Sequence, residues 1–190
     1  MQSNHDTGNN TSGADLRALR KARGLTLQGM SEALGRSVGW LSQVERGLSD
    51  LSTADLRLIA GLLDVPVSLL SQHSATLGPE TGYVVRKNAR RSIGNPIEGL
   101  TEDLLSPDLT DDFEMVHSIF APHSKITVPV VRPTQEVAYL VSGVLEIEIN
   151  GTLHTIHPGD SFRIKGEPFR WANPGDVDAV AIWVIAPPVY

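Results

Sequence analysis

The segment LTLQGMSEALGRSVGWLSQVERG, residues 25–47, contains the start and stop signals of two short helices separated by a turn. Thr26 is placed to cap the first helix, and Gly35 ends it. Ser37 is placed to cap the second helix, and Gly47 ends it. Apolar residues recur at helical spacing in both: Leu27, Met30 and Leu34 in the first, Val38, Leu41 and Val44 in the second.

The spacing inside this segment is that of a helix-turn-helix. A small residue, Ser31, lets the neighbouring helix approach closely, and Gly35 four residues later makes the turn. The apolar positions of the second helix then seat it on the helices before it. Its opposite face is left free, and in a helix-turn-helix that face enters the major groove of DNA.

The helical pattern extends in both directions, from Ala14 to Leu70. Upstream, one helix with an apolar face ends near Gly24. Downstream, Thr53 is placed to cap a fourth helix, and Pro66 stands in the first turn of a short fifth helix. Five helices joined by short connections predict a compact all-α domain of roughly 60 residues.

This region resembles the phage-repressor-like helix-turn-helix family, the XRE type. The matching text is LRALRKARGLTL, SEALG, LSQVERG and IAGLLDVPVSLL. The resemblance implies sequence-specific binding to a double-stranded DNA operator through the third helix of the domain. It also implies a structural ion pair between Arg20 and Glu45, which would join the first and third helices.

The resemblance assigns the DNA contacts to the third helix and its cap, at Ser37, Val38, Gly39, Trp40, Ser42, Gln43 and Arg46. Positions 37, 42 and 46 lie where the family contacts phosphates, and positions 38, 39 and 43 lie nearest the base edges. The Gln43 amide can bond bidentately to adenine. Trp40 has two open interpretations, as an apolar reader of a thymine methyl or as packing at the domain edge. Because few basic residues lie on the docking face, a homodimer on two half-sites is expected.

The composition is that of a globular protein, with 41% hydrophobic and 20% charged residues in 190. The chain has no cysteine, which excludes disulfides, thiolate metal sites and a cysteine nucleophile. Its net charge is −6, yet residues 1–75 hold seven Lys/Arg and seven Asp/Glu. The negative charge therefore belongs to the C-terminal part, and it does not argue against a DNA-binding surface near the N-terminus.

The sequence predicts a cytoplasmic protein with no membrane partner. No apolar run approaches the ~18 residues that a membrane span needs, and the polar opening of the chain lacks the apolar core of a secretory signal. We divide the chain into a disordered tail at 1–13, the helical domain at 14–71, a polar linker at 72–82 and a β-rich domain at 83–190.

Beyond the linker the apolar period falls to two. Short runs such as EVAYLVSG, VLEIEING and AVAIWVIAP are separated by turns such as NG, PGD and NPGD. This alternation predicts an antiparallel barrel or sandwich. In the stretch RPTQEVAYLVSG, residues 132–143, Val137, Tyr139 and Val141 share one face of a half-buried strand.

The text EVAYLVSGVLEIEINGTLHTIHPGDSFRIKGEPFRWANPGD, residues 136–176, resembles both motifs of the cupins, in the subgroup fused to a helix-turn-helix. The resemblance implies a jelly-roll β-barrel over about residues 113–187. Metal-binding cupins hold a divalent cation with three histidines and one glutamate. Here the three histidine positions are occupied by Val130, Arg132 and Phe169, and only Glu136 remains. We therefore expect neither a metal nor another cofactor.

The altered motif suggests a small-molecule effector site instead. Arg132 and Glu136 would project into a barrel mouth lined by Tyr139, Phe169 and Trp171, with Trp183 as a further candidate. A guanidinium forks onto carboxylate or phosphate, which favours an anionic or zwitterionic ligand. The alternative is that Arg132 and Glu136 pair with each other and fill the barrel.

The basic run RKNARR, residues 86–91, leaves three interpretations open: an extension of the DNA footprint, a contact with the helical domain, or a solvated surface. Taken together, the two halves predict a non-enzymatic transcriptional regulator whose metal-free cupin domain dimerises and senses a metabolite. Two rivals remain at this stage. One is a cupin metalloenzyme, a dioxygenase or isomerase, with an accessory DNA-binding domain, and the other is a cupin that serves only for dimerisation.

Overall fold

The computed structural model describes residues 13–71, 80, 82–93 and 97–188. The predicted tail and linker lie outside these residues except for Gly13, Glu80 and Gly82. The described part of the N-terminal half contains five helices: α1 Gly13–Ala22, α2 Leu27–Ala33, α3 Val38–Glu45, α4 Thr53–Leu63 and α5 Val67–Ser71. Among the described residues, no helix has the length and apolar character needed to cross a membrane.

The caps predicted around the central turn are confirmed. Thr26 Oγ1 accepts a hydrogen bond from the Gly29 amide at 2.9 Å, and Ser37 Oγ accepts one from the Trp40 amide at 3.1 Å. The first three helices are each followed by a glycine at positive φ: Gly24 at 68°, Gly35 at 63° and Gly47 at 69°. A residue with a side chain is strained in that conformation, so these glycines end the helices where the sequence indicated.

The predicted cap of the fourth helix is wrong by one residue. Ser52 caps α4, and Thr53 is its first helical residue. Ser52 Oγ accepts from the Asp55 amide at 3.1 Å and donates to Asp55 Oδ2 at 2.6 Å. The Asp55 carboxylate also accepts from the Ser52 backbone amide, which completes a capping box, and the Ser-x-x-Asp spacing was its signal in the sequence. Arg36 Nη2 adds a bond of 2.7 Å to the same carboxylate.

The helices pack around a core of buried apolar side chains: Leu16, Leu19, Met30, Leu41, Val44, Leu56, Ile59 and Leu63. The expectation that Val38 also seats α3 is wrong, because its side chain is 43% exposed. The predicted ion pair is confirmed: Arg20 Nε and Nη2 donate to the two carboxylate oxygens of Glu45 at 2.5 and 3.0 Å. It joins α1 to α3, and both side chains are buried.

The β-rich half forms two facing sheets. Its described strands are β1 Arg91–Ser92, β2 Leu100–Leu104, β3 Glu114–Phe120, β4 Gln135–Ser142, β5 Leu145–Ile149, β6 Thr152–Ile156, β7 Ser161–Lys165, β8 Phe169–Ala172 and β9 Ala179–Ala186. The larger sheet has the order β1-β2-β3-β9-β4-β7, and the smaller has β6-β5-β8. All the pairings are antiparallel, as predicted.

Strand β4 presents to the core the face that carries Glu136. Glu136, Ala138 and Leu140 are buried, whereas residues 137, 139 and 141 lie on the outer face of the large sheet. The period of two was right, but alternation alone does not say which face is covered when the outer face is also apolar.

One contact joins the two halves through the basic run at 86–91. Arg91, in β1, is buried, and its Nη2 donates to Asp15 Oδ2 of α1 at 2.5 Å. Arg86 is exposed and pairs with Glu80. Of the three interpretations of the basic run, a contact with the helical domain holds for Arg91. Arg86 instead lies on the solvated surface.

Candidate DNA-binding surface and ligand cavity

Helix α3 leaves one face open to solvent. Leu41 and Val44 are buried on the inner side, whereas Val38, Gly39 and Gln43 are exposed on the outer side. A side chain added at Gly39 would meet only the Ser37 hydroxyl, at 4.0 Å, so none of the described residues covers that position. The three residues assigned to the base edges thus lie together on an accessible surface of the size a major groove accepts.

The remaining DNA-contact candidates lie at the ends and flank of α3. Ser37 caps the helix and is exposed, Ser42 is half-buried, and Arg46 is exposed with its Nε donating to the Ser42 carbonyl at 3.1 Å. Trp40 is half-buried against the core, and the Arg36 guanidinium lies 5.3 Å from its ring centroid. This cation–π contact supports the edge-packing role of Trp40, and a base contact by Trp40 stays a prediction.

A small cavity lies between the two sheets of the cupin half. It is lined by Ile97, Leu100, Glu102, Phe120, Val130, Arg132, Glu136, Phe169, Trp171, Trp183 and Ile185. The four positions aligned with the cupin metal site therefore converge. A pair of backbone hydrogen bonds between Val130 and Phe169, at 2.8 and 2.9 Å, brings the segment before β4 against β8.

Tyr139 does not belong to this cavity. Its side chain is 50% exposed on the outer face of β4, because Tyr139 lies an odd number of positions from the inward residues Glu136, Ala138 and Leu140. Its prediction as a ligand contact is wrong, because the inward face of β4 is the one that carries Glu136. Trp183, which the sequence offered only as a further candidate, does line the cavity.

The cavity contains a second carboxylate that the sequence reasoning missed. Glu102 of β2 lines it, and its Oε1 accepts from Ser118 Oγ at 2.9 Å. The Glu136 carboxylate is fully enclosed, with its Oε1 accepting from Thr134 Oγ1 at 2.6 Å. No local motif marks Glu102. Its place follows from the pairing of β2 with β3, in which Glu102 stands opposite Ser118.

Arg132 forms only a loose ion pair with Glu136. The distance from Arg132 Nη1 to Glu136 Oε1 is 3.9 Å, which is too long for a hydrogen bond. The Arg132 side chain is 37% exposed, so it lies at the mouth of the cavity. Its guanidinium is therefore not committed to Glu136 and can meet another anion.

The side chains at the cupin metal position do not fit a divalent cation. Valine and phenylalanine have no lone pair to donate, and a guanidinium repels a cation. Of the three histidines and one glutamate that bind the metal in other cupins, only the glutamate, Glu136, has a counterpart here. Within the described ranges, no group of three or more His, Asp, Glu or Cys residues is arranged to hold a metal ion.

Burial raises the pKa of the Glu102 carboxyl above its usual range, and the nearby charge of Glu136 adds to the rise. The Ser118 hydroxyl and the charge of Arg132 oppose it. A carboxyl whose pKa is raised in the folded state supports folding while it is protonated. That support is lost as the pH rises through its folded pKa, so an ionised Glu102 costs stability near neutral pH.

We expect Glu102→Gln to melt at a higher temperature than the wild type at pH 7, because the amide carries no buried charge. Each kcal/mol relieved raises the melting temperature by about 2–4 °C in a chain of this size. The advantage should shrink as the pH is lowered toward the usual range of glutamate, about 4.3. Thermal denaturation followed by circular dichroism across this range measures it. Glu146→Gln, on the outer face of β5, is the matched control, and a pH-independent advantage for Glu102→Gln would contradict the prediction.

Comparison with known families agrees with this architecture. Residues 13–72 match the model of a helix-turn-helix domain, and residues 116–185 match the model of a cupin domain. A search of curated proteins gave no match. The chain thus combines a helix-turn-helix domain with a cupin domain, which confirms the fold class and both resemblances found in the sequence.

Several solved structures are similar to the chain. An HTH_3 family transcriptional regulator from Vibrio cholerae is 21% identical over 95% of this chain and 97% of its own, with a TM-score of 0.45. The cupin domain of an XRE family transcriptional regulator from Enterobacter cloacae is 26% identical over 48% of this chain and 99% of its own, with a TM-score of 0.43. A sugar phosphate isomerase of the cupin superfamily from Silicibacter pomeroyi is 18% identical over 48% and 62%, with a TM-score of 0.43.

Proposed function

We propose that the chain is a sequence-specific transcriptional regulator that acts as a cytoplasmic homodimer and responds to a small anionic or zwitterionic metabolite. The observation that carries the DNA-binding part is the exposed outer face of α3 in a helix-turn-helix domain. Fluorescence anisotropy with DNA from upstream of the chain's own gene tests it. Binding with no preference over scrambled DNA at moderate salt would overturn the proposal.

The Gln43 side chain offers the most direct test of whether α3 contacts base edges. We expect Gln43→Ala to weaken operator binding about 5- to 150-fold, the equivalent of the ~1–3 kcal/mol that a bidentate base contact supplies. Binding to scrambled DNA should be unchanged, because it depends on phosphate contacts. Asn88→Ala, which removes an exposed amide outside α3, is the control. An equal loss on both DNAs would show that Gln43 does not read a base.

The outer face of the large sheet supports a homodimer. Exposed apolar side chains lie in register across three neighbouring strands, with Met115 of β3 beside Val184 of β9, and Val184 beside Val137 of β4. Tyr139 pairs with Ile182 in the next row. We call this surface the outer sheet patch. A second copy covering it would remove apolar area from water and place two DNA-binding domains on one assembly.

A non-enzymatic role is supported by the residues at the positions aligned with the cupin metal site. Metal-dependent dioxygenase or isomerase chemistry on a cupin needs a bound cation, and Val130, Arg132 and Phe169 offer no ligand for one. The cavity is instead suited to binding a small molecule. It has one guanidinium and two carboxylates among aromatic rings, which is the usual composition of a small-ligand site.

A continuous set of contacts leads from the cavity to the DNA-binding domain. The Glu102 carbonyl accepts from the Ile93 amide at 3.0 Å and from Ser92 Oγ at 3.3 Å. The preceding residue, Arg91, pairs with Asp15 of α1. A ligand that shifts Glu102 would therefore act on β1 and through it on α1. If β1 and α1 have two arrangements, one with the ligand bound and one without, the ligand changes operator affinity by the ratio of its own affinities for those two arrangements.

A further inference from the structure

The charges inside the cavity restrict its ligand more than the sequence did. Two carboxylates, Glu102 and Glu136, face one guanidinium, Arg132. A simple anion bound to Arg132 would lie close to both carboxylates and would be repelled by them. A simple cation would satisfy the carboxylates and leave the guanidinium without a counter-charge. Neither single charge matches the site.

The hydrogen bonds around the cavity leave both glutamates able to accept further bonds from a ligand. Within the described residues each carboxylate accepts a single side-chain hydrogen bond, in both cases on Oε1. An ammonium group has three N–H donors, enough to reach both glutamates. Trp183, a buried residue of the cavity wall, has an indole N–H with no acceptor among the described residues. A buried indole N–H ordinarily has a partner, so this orphan donor is an independent sign of an absent acceptor.

We infer that the cavity binds a small zwitterion, with its ammonium group between Glu102 and Glu136 and its carboxylate on Arg132. This inference rests on the proposed sensing function and names the chemical class of the effector. The cavity has a volume of only about 30 Å³, room for about two waters. The ligand must therefore be small. Arg132 is the more exposed partner of the Arg132–Glu136 pair at the cavity, and its side chain must move outward to admit the ligand.

A matched series of short compounds tests the inference. We would measure the melting temperature of the full chain with 4-aminobutyrate, L-alanine and β-alanine, and with butyrate and butylamine, which each keep one of the two charges. At a hundredfold excess over Kd a zwitterion should raise the melting temperature by about 5–10 °C. Butyrate and butylamine should each have at least tenfold weaker affinity by calorimetric titration.

Two variants show whether a response comes from this cavity. Glu102→Gln should weaken zwitterion binding at least tenfold while the protein stays folded, and Glu146→Gln, outside the cavity, should leave it unchanged. Stabilisation by butyrate alone, by butylamine alone or by manganese or zinc would overturn the inference, as would no response to any of the zwitterions. Operator binding measured on the same samples separates the two claims. If it persists without a zwitterion response, only the inference fails, and if it is absent, the regulator proposal fails.

Discussion

Glu45→Ala is expected to destabilise the helix-turn-helix domain by about 3–5 kcal/mol, because it leaves the Arg20 guanidinium buried without a counter-charge. Both side chains are less than one-tenth exposed, and Glu45 raises the pKa of Arg20 through their hydrogen bond. Arg20 Nη1 also donates to the Leu25 carbonyl at 2.7 Å. The pair thus fixes α1, the turn before α2 and the end of α3 in one arrangement.

Chemical denaturation followed by helical circular dichroism measures this loss. Arg17→Ala, on the exposed side of α1, is the control and should change the stability by less than about 0.5 kcal/mol. The double variant Arg20→Met/Glu45→Leu should recover most of the loss, since a buried pair replaced by apolar residues of similar size is often neutral. A loss below about 1 kcal/mol for Glu45→Ala would mean that the pair behaves as an exposed one.

The features predicted correctly from the sequence depend on residues close together in the chain. The caps at Thr26 and Ser37 and the glycine stops act within one helical turn, so local spacing determines them. The choice of Thr53 instead of Ser52 as the cap of α4 is also decided by neighbouring residues. Two hydroxyl residues stand side by side, and only the reciprocal bond between Ser52 and Asp55 selects the first of them.

The errors in the cupin half come from long-range pairing. Strand β4 has apolar residues on its outer face and a glutamate on its inner face, which reverses the usual reading of an amphipathic strand. Glu102 enters the cavity because β2 pairs with β3, and no spacing within the sequence fixes that register. Val130, Arg132, Glu136 and Phe169 line one cavity, and a family motif, rather than hydrophobic alternation, is what singled them out in the sequence.

Val184→Asp is expected to convert the proposed dimer to a monomer and to lower operator affinity by about 100-fold or more. Val184 lies at the centre of the outer sheet patch, between Met115 and Val137, and a two-fold assembly would bury the new charge twice. A monomer binds one half-site and loses the gain of 10²–10⁴ that two linked binding events supply. Because Val184 is 41% exposed in the single chain, the substitution should leave the monomer folded.

Light scattering coupled to size exclusion measures the mass, and anisotropy on a full operator and on a single half-site measures the two affinities. Val128→Asp is the matched control. Val128 is an exposed valine in the segment that reaches β8 of the smaller sheet, away from the patch, so its variant should remain dimeric. Val184→Asp should bind the half-site as the wild type does, because α3 is untouched. A dimer of unchanged mass in Val184→Asp would place the interface elsewhere on the molecule, and a monomeric wild type would remove the homodimer from the proposed function.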